Sequence, residues 1–597
     1  MKLSRIYTNK PEIFRPIDFN YGLNVVLAEI LLPENKDKDT HNLGKTTLCK
    51  VIDFCLLSDK HKSFFLLAYP DLFQEFVFFI EIQLSNHEFI TIKRIVNDPT
   101  KISLKTSTEG KQDYVYLPDS SWNHTNVPLE KAKKILDGIL NLQVIKPWEF
   151  RTALSYILRS QEDFGDVFHL KKMYKHSDWK PYLAHIMGFN SFLIEQLYIK
   201  EEKLDEIQKT EKTLSKELDI KPDDISKVDG MLLLKQKEIQ KKQSLLDAFD
   251  FRDQDKIKTN QLVNKLDDEI QLLNKKRYYL LHNRKKIESS LQEHKIIFNI
   301  EDADKLFKET GVLFSGQIKK DFTKLIEFNK SITEERAKYL TEEQKQINQD
   351  LLDTNKQLNS LGKKRSDTLA FLGETDIFVK YKKVSDEISI LKSEIITLDN
   401  HKKIIDKLHN FRKESRLIQE EKEKLQILIE DDVSRQNSDN SSFFSSIRLF
   451  FSEIIEEVIS RKALLNVSLN TQCHLEFTAE ILDENGNITS EAKGYTYQKL
   501  LCIAFDMAIA RAYHNKDFPH FIFHDGVFET LDDRKKTNLL NVIRDYSSNY
   551  NVQQVITLID SDLPSGKIYT NIFEENEIVL FLNDKDKEGR LFNMDSW

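Results

Sequence analysis

The sequence predicts an α/β head built from both chain termini, with a long antiparallel α-helical coiled-coil hairpin inserted between them. Three observations lead there. Strand-like runs rich in β-branched and aromatic residues gather at both ends of the chain. Between Pro181 and Pro519 the only proline is Pro222, so little there forbids long helices. Within that span apolar residues step by alternating four and three, the seam of a coiled coil.

The elements follow in chain order. Residues 1–190 form the N-terminal lobe, with LSRIY, LNVVLAEI, FVFFIEIQL and FITIKRIV as its strands. An ascending arm, 191–297, carries Leu193, Leu197, Lys200, Leu204, Ile207, Glu211, Leu214 and Leu218 at seam positions. Gly311 and Gly316 place the apex at 298–318. The descending arm, 319–440, repeats the seam at Val384, Ile388, Leu391, Ile395, Leu398, Lys402 and Ile405. Each arm of roughly 100 to 120 residues would reach on the order of 150 to 180 Å if continuous. Pro222–Gly230 and Gly362–Gly373 read as interruptions within the arms. Residues 441–597 return to strands in LLNVSLN, HLEFTAEIL, FIFHD, VQQVITLI and NEIVLFL.

Bulk properties narrow the function less. A net charge of −8 argues against a uniformly basic nucleic-acid binder, though a local patch remains compatible with DNA. The four cysteines, Cys49, Cys55, Cys473 and Cys502, lack C-x-x-C spacing and read as reduced thiols. With no cysteine in the apex, no zinc hook is available there. No signal core or membrane-length apolar run is evident, so a cytoplasmic location is expected.

The motif that carries chemistry is DTHNLGKTTL, residues 39–48. Gly44, Lys45 and Thr46 fit the end of a phosphate-binding loop, between a strand and a helix that points backbone N–H groups at phosphate. Lys45 suits the β and γ phosphates of ATP, and the Thr46 hydroxyl suits Mg²⁺. Asp39 stands where the loop's first glycine belongs; both it and Asn42 tolerate left-handed backbone and can hold the loop's shape. Far along the chain FIFHD ends in Asp525, suited to the Mg²⁺ shell, and Asp532 follows seven residues on. Between these halves, Gln161 in SQEDF offers an amide for metal and γ-phosphate.

This order of motifs resembles the SMC and SbcC-type coiled-coil ABC ATPases. The segments IKKDFTKLIEFNKSITEERAKYL, AFDMAIA and FIFHDGVFETLD are more particularly similar to a bacterial domain-of-unknown-function family of such ATPases. Members of that family act as the central subunit of three-component, Lamassu-like anti-phage systems. The resemblance implies that Gly44, Lys45, Thr46 and Thr47 hold the phosphates and that Thr46, Gln161 and Asp525 surround Mg²⁺. It implies also that Asp532 lies in a dimer-contacting loop, and that Gly494 or Thr496 stands in for the signature residues within AKGYTYQKL. Gly526 occupies the position of the glutamate that polarises the attacking water, leaving His524 and Glu529 as the nearest candidates. No histidine follows the last core strand in VITLIDSD.

Two basic clusters are candidate DNA or partner contacts: Lys171, Lys172, Lys175 and Lys180 beside Gln161, and Lys275, Lys276, Arg277, Arg284, Lys285 and Lys286 with two tyrosines on one helix. The leading reading is an ATP-binding, DNA-sensing subunit of a bacterial defence complex. It would form a homodimer through its heads, engage double-stranded DNA or DNA ends, and hold a separately encoded effector, a nuclease by expectation, alongside accessory subunits. Its rivals are a DNA-repair or chromosome-organising ATPase and a structural scaffold with a vestigial nucleotide site.

Overall fold

A computed structural model of the chain describes residues 1–32, 43–59, 62–170, 175–218, 225–247, 253–293, 316–370, 375–488, 494–566 and 568–595. The chain divides into two units, Met1–Glu201 with Glu421–Trp597, and Glu202–Glu420. None of the described helices is long and apolar enough to cross a membrane.

The first unit is mixed α/β. Its strands are β1 (Lys2–Thr8), β2 (Ile17–Asp18), β3 (Leu23–Glu29), β4 (Val77–Gln83), β5 (Phe89–Ile95), β6 (Lys101–Ser107), β7 (His124–Pro128), β8 (Leu158–Arg159), β9 (Ala463–Leu469), β10 (Leu475–Ile481), β11 (Phe521–His524), β12 (Gln553–Ile559) and β13 (Ile578–Asn583). Strands β2-β1-β4-β5-β6-β7 form an antiparallel sheet, and β9 and β10 a hairpin. The sheet that matters for function has the order β13-β3-β12-β11-β8, and every pairing in it is parallel.

That sheet interleaves the two ends of the chain: β3 lies between β12 and β13, and β8 pairs with β11. Parallel strands covered on both faces read as unbroken apolar runs, and β3 and β12 are each buried at six of seven positions. Val25, Leu27, Phe523, Val555, Ile556 and Leu558 share one core with the helices Lys45–Cys55, Phe443–Ile459, Tyr495–Ala512 and Asp533–Asn549. Each such side chain contributes about 1.5–3 kcal/mol when fully buried, so the two terminal segments hold one another folded.

The second unit is helical. Arg412 meets Glu211 at 2.8 Å, Lys402 meets Asp229 at 2.6 Å and Lys242 meets Glu387 at 2.6 Å, so ascending numbers pair with descending ones and the helices run antiparallel. Val228, Leu232 and Ile405 form the apolar seam between those pairs, and Leu280, Ile287, Ile347 and Leu351 form a second cluster between the helices Asp253–Glu293 and Gly316–Ala370.

Beyond the antiparallel pairing, four helices of this unit meet. Leu246, Val263, Leu369 and Tyr381 belong to one cluster, bringing four helices together: Ile225–Asp247, Asp253–Glu293, Gly316–Ala370 and Thr375–Ser438. Buried Arg365 lies 2.8 Å from Asp267 and also contacts Asp386, while Lys382 donates to Ser366 at 3.2 Å. Further along, Met231, Lys235, Tyr278, Leu281, Ile390 and Leu398 line one groove. By these contacts the helix Asp253–Glu293 packs back along Ile225–Asp247, and Thr375–Ser438 back along Gly316–Ala370. One helix ends at Leu218 and the next begins at Ile225, and another ends at Ala370 with the next beginning at Thr375, so helix boundaries overlap the interruptions read at Pro222–Gly230 and Gly362–Gly373, while Gly230 and Gly362 themselves lie inside helices. Most of the expected apex, 298–315, falls outside the described residues.

Candidate functional site

In an open parallel sheet, ligands gather beyond the carboxyl ends of the strands, where loops diverge. Three candidate groups follow strands of that sheet: Gly44 to Thr46 come after β3, Gln161 after β8, and Asp525 directly after β11. Gly44 caps the Lys45–Cys55 helix at φ 101°, a left-handed conformation that favours glycine. A Cβ there would also come within 2.6 Å of Leu591 Cβ, because Leu591 N–H donates to the Leu43 carbonyl at 3.0 Å. Glycine supplies no side-chain cap, so the helix's first turn presents its N–H groups to an anion.

Thr46 and Asp525 meet although 479 positions separate them: the Thr46 hydroxyl donates to Asp525 Oδ2 at 2.5 Å. The other carboxylate oxygen of Asp525 accepts from Thr557 at 2.5 Å, and Thr557 Oγ1 accepts the Gly526 N–H at 2.9 Å. Asp525 is fully buried and held on two sides. Lys45 supplies the charge. Its Nζ is buried with no hydrogen-bond partner among the described residues, and burial lowers its pKa while Glu529, Asp525, Asp562 and Asp560 pull it upward. An ammonium kept from water without a hydrogen bond is costly, and a phosphate oxygen would relieve it. The residues fit a magnesium nucleotide.

Glu529 completes the cluster. Its carboxylate accepts from the Gln161 amide at 2.5 Å, and burial raises its pKa against the pull of Lys499 and Lys45. Gly526 adopts φ 68°, and a Cβ on it would lie 2.7 Å from Glu529 Oε1 and 2.8 Å from Gln161 Nε2. The carboxylate of Glu529 thus fills the space a side chain at 526 would claim.

His524 is a correction. Strand alternation turns it into the core, where Nε2 meets Asp506 at 3.1 Å and burial lowers the imidazole's pKa against the pull of Asp506. Asp506 is bound twice over by Arg159, at 2.5 and 3.0 Å. Arg159 also donates to the carbonyls of Asp163, Asp166 and Val167, fixing the turn that holds Gln161. Sequence reasoning missed Arg159 and Asp506, since buried pairs of distant residues leave no local signature.

The remaining candidates scatter. Gly494 caps the Tyr495–Ala512 helix, and the Thr496 hydroxyl contacts that of Thr530 at 3.0 Å. Asp532 caps the Asp533–Asn549 helix by accepting the Lys535 N–H at 3.0 Å. Asn42, Lys171 and Lys172 lie outside the described residues. Lys175 heads the His176–Ile186 helix and is exposed. Lys180 is no surface contact: it is buried and donates to the Leu475 carbonyl at 2.6 Å. In the helical unit Lys275, Lys276, Arg277, Lys285 and Lys286 are exposed, and Arg284 lies 3.5 Å from Glu288. The four cysteines form no disulfide.

Over residues 454–596 the chain matches a family model described as an uncharacterised protein conserved in bacteria, DUF2326. No curated protein matches it. Among solved structures it is similar to the Smc head domain with a coiled coil and joint from Pyrococcus yayanosii, at 14% identity and TM-score 0.35 over 94% of this chain and 92% of that one. It is similar also to the Smc head domain with an extended coiled coil bound to the C-terminal domain of ScpA from Pyrococcus furiosus, at 12% identity and TM-score 0.32 over 94% and 90%.

Proposed function

We propose that this chain is an SMC-like protein that binds ATP with magnesium between its two terminal segments and hydrolyses it slowly or under control. The observation that carries the reading is the buried ammonium of Lys45, without a hydrogen-bond partner among the described residues, beside the Thr46–Asp525 hydrogen bond. The first-turn amides of the Lys45–Cys55 helix, with Lys45 and Thr47, hold the phosphates, and Thr46, Gln161 and Asp525 are the residues that would hold Mg²⁺. When bound there, Mg²⁺ would supply charge neutralisation at the phosphates. Glu529 is the group placed to orient a water, since its carboxylate stands against Gln161 and Gly526.

On this reading Gly494, Thr496 and Asp532 face a second copy across the nucleotide, and two heads close as a homodimer. The resemblance to the coiled-coil ATPases of bacterial defence systems supports the finer role. ATP-dependent closure on double-stranded DNA or DNA ends would control a separately encoded effector, with Lys175 and the 275–286 cluster as DNA or partner contacts. The position of Glu529 also favours the second reading, a repair or chromosome-organising ATPase that turns over continuously. Brisk DNA-stimulated hydrolysis by the chain alone would select the second reading.

The test is ATP binding by the native protein and Lys45→Ala, with and without duplex DNA ends. Removing the ammonium should weaken ATP affinity at least about tenfold, since a charge-assisted hydrogen bond contributes roughly 1.5–3 kcal/mol. Equal affinity in the two proteins would leave only the scaffold reading.

A further inference from the structure

The reading above gives no task to Lys499, the most deeply buried lysine near the site. It lies one turn into the Tyr495–Ala512 helix, and its side chain is fully buried. Nζ donates to the Gly526 carbonyl at 2.7 Å and lies 3.4 Å from the Glu529 carbonyl and 3.6 Å from Glu529 Oε2. The rings of Phe164 and Tyr495 flank it, with centroids 5.4 and 5.3 Å away. Among the described residues its polar contacts fall on one turn, 526–529, and none on its own helix.

Withdrawing an ammonium from water costs several kcal/mol, and a methionine would fill the same volume without that cost. The lysine is therefore better explained by what its charge does to the turn than by packing. The turn needs such a restraint: Gly526 is the residue with the widest backbone freedom, and it sits between buried Asp525 and the segment bearing Glu529.

We propose that Lys499 is a positioning residue: it pins the 526–529 turn through its carbonyls and directs the Glu529 carboxylate into the space beside Gly526 and Gln161. The inference rests on the reading of Glu529 as the group that orients water. Burial lowers the lysine's pKa, while Glu529 and, more weakly, Asp562 and Asp525 raise it. Phe164 belongs to the same short turn as Gln161, so Lys499 joins three elements of the site: the glutamine turn, the turn after β11 and the helix behind Gly494.

The experiment uses the full chain carrying Lys499→Met, Lys499→Arg, Glu529→Gln, or Lys499→Met with Glu529→Gln. Three quantities are read: affinity for magnesium ATP, single-turnover hydrolysis, and amide hydrogen exchange of 526–532 without nucleotide. Lys499→Met should bind ATP within about threefold of native, lose at least about tenfold in rate, and exchange faster across 526–532. Lys499→Arg, which keeps the charge, should recover most of that rate. The double variant should be no slower than Glu529→Gln alone, because both substitutions remove one arrangement.

A native rate in Lys499→Met beside a slow Glu529→Gln overturns the proposal alone. A native rate in Glu529→Gln overturns the water-orienting reading and the proposal with it. If the native chain does not turn over, exchange decides: unchanged protection of 526–532 in Lys499→Met overturns the proposal. Failure of both Lys499 variants to fold assigns the lysine to the core and overturns it equally.

Discussion

Single residues in this protein serve chemistry only where a neighbour frees them to. Thr46 and Lys45 are adjacent in sequence, yet one is bound to Asp525 while the other reaches no hydrogen-bond partner among the described residues. Asp525 and His524 are likewise adjacent and both buried, yet Asp525, just past β11, meets Thr46 while His524 meets Asp506. Burial alone therefore does not mark a site; the partners do. His520, just ahead of β11, illustrates burial without chemistry. Its pKa is lowered to about 4, chiefly by desolvation, with Lys2 nearby adding to the effect. The unfolded chain, with an ordinary histidine near 6.5, takes up the proton first. The contribution of His520 to stability is therefore intact above that value and is lost as pH falls toward about 4. His520→Phe should flatten the decline of melting temperature between pH 6.5 and 4.5 relative to native, as thermal denaturation at several pH values would reveal.

At the scale of elements, the seam positions were readable because coiled-coil packing depends on spacing along one chain. The polar residues at those positions find partners across the seam: Lys200 with Glu421 at 2.5 Å, Glu211 with Arg412, and Lys402 with Asp229. Such pairs fix register more than they add stability. An interruption was readable at Gly362–Gly373, but not that the chain doubles back past it, because a helix that doubles back uses the same heptads as one that continues. Arg365 tells the two apart, since it touches Asp267 on one helix and Asp386 on another. Arg365→Met should cost about 1.5–3 kcal/mol, the loss of charge-assisted hydrogen bonds. Faster amide exchange near 365 and 386, with the first unit unaffected, is the expected signature.

The whole molecule depends on pairing between its ends. With β3 between β12 and β13, and β8 against β11, neither terminal segment retains its parallel sheet alone. Segments 1–190 and 441–597 produced separately should be insoluble or unstructured, and produced together should associate and recover cooperative melting. Independent folding of either segment, seen by circular dichroism, would contradict this. The C-terminal stretch adds to the same interdependence: Leu591 pairs with Leu43, and Phe592 packs on Phe14 and Phe73 with centroids 5.2 Å away. The loop end at Gly44 is consequently shaped by residues near the other end of the chain.

Strand-forming runs, heptad seams and the Gly44-Lys45-Thr46 signal were determined by the sequence itself, because each is a pattern of residue type along a few turns or a single strand. Tertiary structure alone decided the rest: that Glu529 fills the space at Gly526, that His524 belongs to Arg159 and Asp506, that Lys499 reaches the turn after β11, and that the helices reverse. Those facts depend on distances between residues remote in sequence, and on which way each side chain points after the sheet has closed. Spacing along the chain does not contain either quantity.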